Sequence, residues 1–226
     1  MALSSEQRGV AVGMGLSLLL TLTGLLPAAF GGLPFPLKDD MSSRLANALT
    51  WDLLVILPVL GTVARLAKFR FFSPADINAA ASKSSSSAAG IMQAIIQNTL
   101  EQAVMAFGAH LVWAATMPIY SQAVVPVSAC FFFSGRVMFA SGYSKGAPAR
   151  AVGFSITFQP TALMLFAMVA FHLYAALSGN GAQVAYGPAG ALLLGSLGLL
   201  KLATLVAESA GAETSARELT APLASG

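Results

Sequence analysis

Charged residues are scarce in this chain of 226 residues: only 9% are Asp, Glu, Lys or Arg, whereas hydrophobic residues make up 56%. A soluble domain usually has about 25% charged residues, so this composition and a mean hydropathy of +0.75 exclude an ordinary soluble protein. The formal net charge of +3 does not indicate nucleic-acid binding, because the basic residues lie in loops between apolar stretches. The composition therefore indicates an integral membrane protein.

Cysteine and histidine are also scarce. A single cysteine, Cys130, excludes an intrachain disulfide, and its apolar surroundings predict a packing role. The sequence contains no His and Cys cluster with metal-ligand spacing, no glycine-rich phosphate loop and no internal repeat. These absences leave membrane-embedded polar residues as the best indication of a site.

Long apolar stretches are abundant, and a membrane-spanning helix needs about 20 largely apolar residues. The first stretch has two interpretations, because Arg8 precedes an apolar run as in a signal peptide, but no clean small-x-small cleavage site follows, which favours an uncleaved span. The six candidate spans are 9–31, 49–67, 90–117, 121–143, 152–178 and 185–206.

The loop charges predict the orientation. Loops 65–83 and 144–150 are basic, whereas the links 118–122 and 179–184 carry no charge. By the positive-inside rule the basic loops are cytoplasmic and the uncharged links external. Six spans then place both termini in the cytoplasm.

The third and fourth predicted spans carry polar residues that hydrocarbon disfavours: Asn98 and Glu101 in one, Arg136 and Tyr143 in the other. Such residues face a bundle interior or a wet cavity. Two interpretations remain open. In the first, Glu101 and Arg136 pair as a structural bridge between helices, with Asn98 and Gln97 as interhelical hydrogen-bond partners. In the second, the same residues face a ligand pocket.

Three other polar residues have ordinary explanations. His110 and His172 lie in apolar stretches and are predicted to be packing histidines rather than ligands. Asp52 is expected to begin the second span, where a carboxylate favours the positive end of the helix dipole.

Several strings resemble motifs of one family. The string Gln97–Gln102, at the start of a membrane helix, resembles the second-helix motif of the MAPEG family, the membrane-associated proteins of eicosanoid and glutathione metabolism. Gly135–Tyr143 with Ala147–Arg150 resembles the third family helix and the turn that follows it. Arg65–Lys68, with the nearby Ser73–Asp76, resembles the end of the first family helix and its cytosolic loop.

The resemblance covers roughly residues 50–178 and implies an all-α transmembrane bundle with a four-helix core, assembled as a homotrimer. The predicted divisions are an extra apolar segment and external loop at 1–48, the MAPEG-like core at 49–178, and an extra apolar segment with a polar tail at 179–226.

The resemblance also implies a glutathione site between neighbouring subunits near the cytosolic side. Asn98 and Glu101 would hold the glutathione backbone, with Glu101 accepting from its amino group. Arg65 and Arg136 would bind its carboxylates, and Tyr143 would line the site.

Arg150 matches the position that stabilises the glutathione thiolate, and it is the predicted catalytic residue. Other positions differ from the family pattern. Ala94 stands where many glutathione-using members carry arginine, Gln97 where some do, and Phe139 where active members often have tyrosine or histidine.

The function that the resemblance implies is glutathione-dependent transfer or peroxide reduction on a lipophilic electrophile that enters from the bilayer. The membrane would be a bacterial inner membrane. One alternative is a non-enzymatic relative that binds lipid or a partner protein in the same groove. Another is a small transporter or channel subunit, which requires discontinuous helices around a midplane site.

Overall fold

The computed structural model describes residues 3–74, 76–77 and 86–177. Within these ranges 85% of the residues are helical and none forms a strand, which confirms the all-α prediction. The sixth predicted span and the polar tail lie outside the described residues. The α-helices are α1 (Ser5–Ala29), α2 (Met41–Trp51), α3 (Leu53–Phe72), α4 (Ser87–Thr116), α5 (Val124–Gly142) and α6 (Ala147–Leu177).

Four helical stretches of the described residues are long and apolar enough to cross a membrane: Ser5–Ala29, Met41–Phe72, Ile119–Lys145 and Ala147–Ala175. They correspond to the first, second, fourth and fifth predicted spans. The third predicted span, α4, has 30 residues, about 45 Å of helix. It is not among the four because polar side chains interrupt its apolar sequence.

The second predicted span consists of two helices that meet at Asp52. Asp40 caps α2 by accepting a hydrogen bond from the backbone N–H of Ser43 at 2.8 Å. Asp52 ends α2 and begins α3, but its side chain makes no capping bond. Asp52 thus lies at the start of a helix as predicted, and its carboxylate turns into the bundle and contacts His110.

The bundle forms a ring in which α3 contacts α4 and α5, and α6 contacts both α5 and α4. Two clusters of buried apolar side chains fill it. One includes Trp113 of α4 and Leu163 of α6, and the other includes Val55, Ala106 and Phe132.

Helix α1 packs on the outside of this ring, against α6 and α5. Its buried residues include Gly13, Ser17 and Thr21, spaced four apart, so small side chains let it approach closely. The side-chain amide of Gln159 in α6 donates to the carbonyl of Met14 at 3.0 Å. Small-residue packing and this interhelical hydrogen bond thus attach α1 to the bundle.

Helices α5 and α6 approach closely where each carries glycine. A Cβ at Gly153 would overlap the backbone nitrogen of Phe139, and a Cβ at Gly135 would lie 2.5 Å from Thr157 Oγ1. This close approach brings α6 against the face of α5 that carries Arg136.

We expect Gly153→Ala to destabilise the protein by about 1–3 kcal/mol, since the added methyl group forces α5 and α6 apart. Gly108→Ala is the matched control, because a Cβ there meets no atom within 4 Å. It should leave stability unchanged or raise it by about 0.5–1 kcal/mol through helix propensity. Thermal unfolding in one detergent compares the two, and equal melting temperatures would contradict the close packing.

The connection between α3 and α4 is closed by Asp76. Its Oδ1 accepts the backbone N–H of Ser86 at 2.8 Å, and its Oδ2 accepts the hydroxyl groups of Ser86 at 2.8 Å and Ser73 at 2.7 Å. These donors lower the pKa of Asp76 below its ordinary value of 3.8, with the Ser86 N–H contributing most. The carboxylate thus ties the end of α3 to the start of α4.

Because the folded protein lowers the pKa of Asp76, its ionised form stabilises the fold above about pH 4, and this contribution is lost as the pH falls further. Asp76→Asn should therefore lower the melting temperature at pH 7 and have a smaller effect at pH 3. Glu6→Gln, which changes an exposed carboxylate, is the control. An equal loss at both pH values for Asp76→Asn would show that ionisation is not involved.

Candidate functional site

Arg136 is the centre of the candidate site, and its side chain is 2% exposed. Its Nε donates to Thr157 Oγ1 at 3.1 Å, Nη1 to Asn98 Oδ1 at 2.9 Å and Nη2 to Gln102 Oε1 at 3.2 Å. We name these four residues the Arg136 cluster. The arginine of α5 is thereby tied to α4 and α6, and all three acceptors are neutral.

Aromatic rings complete the surroundings of this guanidinium. Its central carbon lies 4.5 Å from the centre of the Phe139 ring and 5.9 Å from that of Phe132. Cation–π contacts of this kind stabilise a charge without neutralising it. No carboxylate pairs with Arg136 in the described part of the chain. The cluster therefore retains a positive charge that an anionic ligand could neutralise.

Glu101 does not join the Arg136 cluster. It is exposed on the surface of the protomer, and its Oε1 accepts a hydrogen bond from the Gln97 side chain at 2.7 Å. Asn98 and Gln102 take the inward side of α4, while Gln97 and Glu101 lie on the outward side. The predicted Glu101–Arg136 bridge is therefore wrong within one protomer.

Tyr143 and Arg150 meet across the turn between α5 and α6. Gly146 makes this turn with φ of 99°, a left-handed conformation that glycine adopts without strain. The guanidinium carbon of Arg150 then lies 4.7 Å from the centre of the Tyr143 ring. That ring also makes an edge contact with Phe139 at 5.3 Å between centres. Aromatic side chains thus connect Arg150 to Arg136.

A cleft of about 160 Å³ opens beside Tyr143, between α3, α4 and α5. Arg65 and Thr62 of α3 line it together with Ile91 and Ile95 of α4. Pockets for small molecules usually enclose about 300–1,000 Å³. The cleft of one protomer is therefore too small to enclose a tripeptide alone.

The structure thus places the six predicted site residues in three groups. Asn98 and Arg136 bond directly, Tyr143 lies between Arg150 and the cleft with Arg65, and Glu101 stands apart. Sequence reasoning missed two partners of Arg136. Gln102 follows Asn98 by about one helical turn, a usable signal, whereas Thr157 lies in an apolar stretch that gives none.

Comparison with known proteins identifies the family of this chain. The model of the MAPEG family matches residues 47–171, which include every predicted site residue and exclude α1. Neither the curated proteins nor the solved structures yielded a match. Because the family model covers more than half of this helical, membrane-spanning chain, the protein is an integral membrane member of the MAPEG family, the membrane-associated proteins of eicosanoid and glutathione metabolism.

Proposed function

We propose that the protein is a glutathione-dependent transferase or peroxidase that acts on lipophilic substrates. The observation that supports this function best is the Arg136 guanidinium, which is buried and, among the described residues, bonded only to neutral acceptors. Buried charges in proteins are normally paired. A carboxylate of glutathione bound beside Asn98, the partly exposed member of the Arg136 cluster, would supply the missing negative charge.

The position of Glu101 supports an assembly. An exposed carboxylate in the middle of a membrane helix is costly in lipid, so a second copy of the chain should cover the outward face of α4. Glutathione between the two copies could then donate from its amino group to Glu101. The small cleft with Arg65 and Tyr143 fits the same arrangement, since a neighbouring subunit would enlarge it. A homotrimer is the assembly that the family resemblance implies.

Arg150 is the proposed source of thiol activation. A thiol near pKa 8.5 is mostly protonated at neutral pH, and a fixed cation favours the nucleophilic thiolate. A guanidinium remains charged under these conditions. The thiolate sulfur would form a bond to the electrophilic carbon of the substrate, and the leaving group would depart with its electron pair. The stack of Arg150 on Tyr143 holds the cation near the cleft.

A non-enzymatic member of the family is the second candidate. Ala94, half-buried on α4, removes a cation that many glutathione-using members have. Phe139 is buried against Arg136 and offers no hydroxyl or imidazole group. Without those groups the same groove would hold a lipid or a partner protein. The predicted bacterial inner membrane applies to either function.

Glutathione binding to the detergent-purified protein tests the proposal. We expect measurable binding by calorimetry, and Glu101→Gln should weaken it about tenfold or more, because losing a hydrogen bond to a charged group costs about 1.5–3 kcal/mol. Glu6→Gln is the matched control. Absence of binding to the wild type would favour the non-enzymatic candidate, while loss of assembly in both Glu101→Gln and Arg136→Gln would assign the two residues a structural role.

Catalysis is tested through Arg150. Arg150→Ala should leave glutathione binding within a few-fold of wild type, move thiolate formation to higher pH and slow conjugation of a general electrophile. Lys145→Ala, on the same turn and exposed, should change none of these. Ultraviolet absorbance of the thiolate, titrated against pH, gives the measurement. If glutathione binds to the wild type and no thiolate forms, the enzymatic proposal fails.

A further inference from the structure

A second polar cluster lies away from the candidate site. Asp52 Oδ1 is 2.5 Å from His110 Nδ1, and His110 Nε2 is 2.9 Å from Ser128 Oγ. All three residues are at most 1% exposed. They come from the α2–α3 junction, α4 and α5, so one imidazole ring connects three parts of the bundle.

The order of these groups matches that of a Ser–His–Asp hydrolase triad, but the surroundings exclude that chemistry. Ser128 is 1% exposed and leaves a substrate no access to its hydroxyl. It also lies inside α5, where backbone N–H groups bond within the helix. No pair of free donors can form an oxyanion hole beside it. The cluster therefore has another role.

The hydrogen bonds assign the proton on His110. A carboxylate oxygen accepts hydrogen bonds, so His110 Nδ1 carries a proton and donates to Asp52. His110 Nε2 and the Ser128 hydroxyl can each donate or accept, so their bond can have either direction. The other carboxylate oxygen, Asp52 Oδ2, is buried and has no hydrogen-bond partner among the described residues.

The second polar cluster and the Arg136 cluster occupy matching positions on two antiparallel helices. His110 lies eight residues beyond Gln102 on α4, and Ser128 lies eight residues before Arg136 on α5. Eight residues of helix measure about 12 Å. The two cross-links, His110–Ser128 and Gln102–Arg136, therefore hold α4 and α5 in a single register.

The apolar layer between the two cross-links specifies this register poorly. On α4 this layer consists of Ala103 and Ala106, which pack against Phe132 of α5. Their side chains are small and have little shape that could hold Phe132 at one position along α4. Hydrogen bonds have fixed geometry and do not tolerate a shift of one residue. A polar cross-link is therefore the stronger determinant of how α4 faces α5.

We propose that Asp52, His110 and Ser128 are positioning residues: the hydrogen bonds of His110 fix the register of α4 against α5, so that Asn98 and Gln102 meet Arg136. The carboxylate of Asp52 orients the ring and ties the α2–α3 junction to that register. The expected effect of this cluster on ligand binding rests on the proposed function, whereas its expected effect on the hydrogen bonds of Arg136 does not.

Nuclear magnetic resonance of the ring nitrogens tests the proton assignment. The chain has two histidines, His110 and the exposed His172, so ¹⁵N-histidine labelling gives two ring systems, and His172→Gln assigns them. We expect the Nδ1 of His110 to be protonated and hydrogen-bonded to Asp52. A His110 ring whose Nδ1 carries no proton would overturn the proposal.

Variants of His110 test the positioning role through the Nη–H signals of Arg136, which report its bonds to Asn98 and Gln102. His110→Leu removes both hydrogen bonds of the ring and should speed exchange of these Nη–H protons about tenfold, the effect of losing one buried hydrogen bond. His110→Gln can still donate and accept, and should restore much of the protection. Ser128→Ala gives the same measurement if His110→Leu does not fold, and His172→Gln is the control.

Two results separate this proposal from its alternatives. A lower melting temperature with unchanged Arg136 exchange would show that the cluster stabilises the fold without positioning the site, which overturns the inference. If glutathione binds to the wild type, its affinity should fall in His110→Leu and recover in His110→Gln. If glutathione does not bind at all, the proposed function fails, and the Arg136 exchange still decides the positioning role.

Discussion

The buried guanidinium of Arg136 is the interaction on which the rest of this structure depends. A charge that is 2% exposed inside a membrane bundle needs hydrogen-bond acceptors. They come from two other helices: Asn98 and Gln102 of α4, and Thr157 of α6. The glycine contacts between α5 and α6 bring Thr157 within reach. Because the acceptors are neutral, the same bonds that join the helices leave a positive charge for a ligand.

The fold class followed from quantities that the sequence states directly: the length of the apolar stretches and the scarcity of charge. The assignment of α4 side chains to faces was harder. Asn98 and Glu101 are three positions apart, about 60° around a helix, and were expected to point the same way. In the structure the edge of the buried face falls between them. That edge depends on the rotation of α4 within the bundle, which its neighbours determine.

The second polar cluster is another case in which sequence reasoning could not predict a contact between distant residues. His110 was correctly predicted to be a packing histidine with its hydrogen bonds satisfied, but its carboxylate partner is 58 residues away in sequence. Asp52 was predicted to start a helix, and it is the N-cap residue of α3. The contact of its carboxylate with His110 depends on how α3 packs against α4, which is a long-range property of the fold. No local pattern contains that information.

The two polar clusters have opposite electrostatic characters, and this difference indicates where a ligand can bind. In the cluster of Asp52, His110 and Ser128, donors and acceptors largely satisfy one another. In the other, a cation that has no carboxylate partner among the described residues is linked through Phe139 and Tyr143 to the cleft lined by Arg65. Only the latter gains electrostatically from an added anion. The proposed ligand site therefore lies near the predicted cytoplasmic ends of the helices, and the contacts proposed to fix the helix register lie about 12 Å deeper.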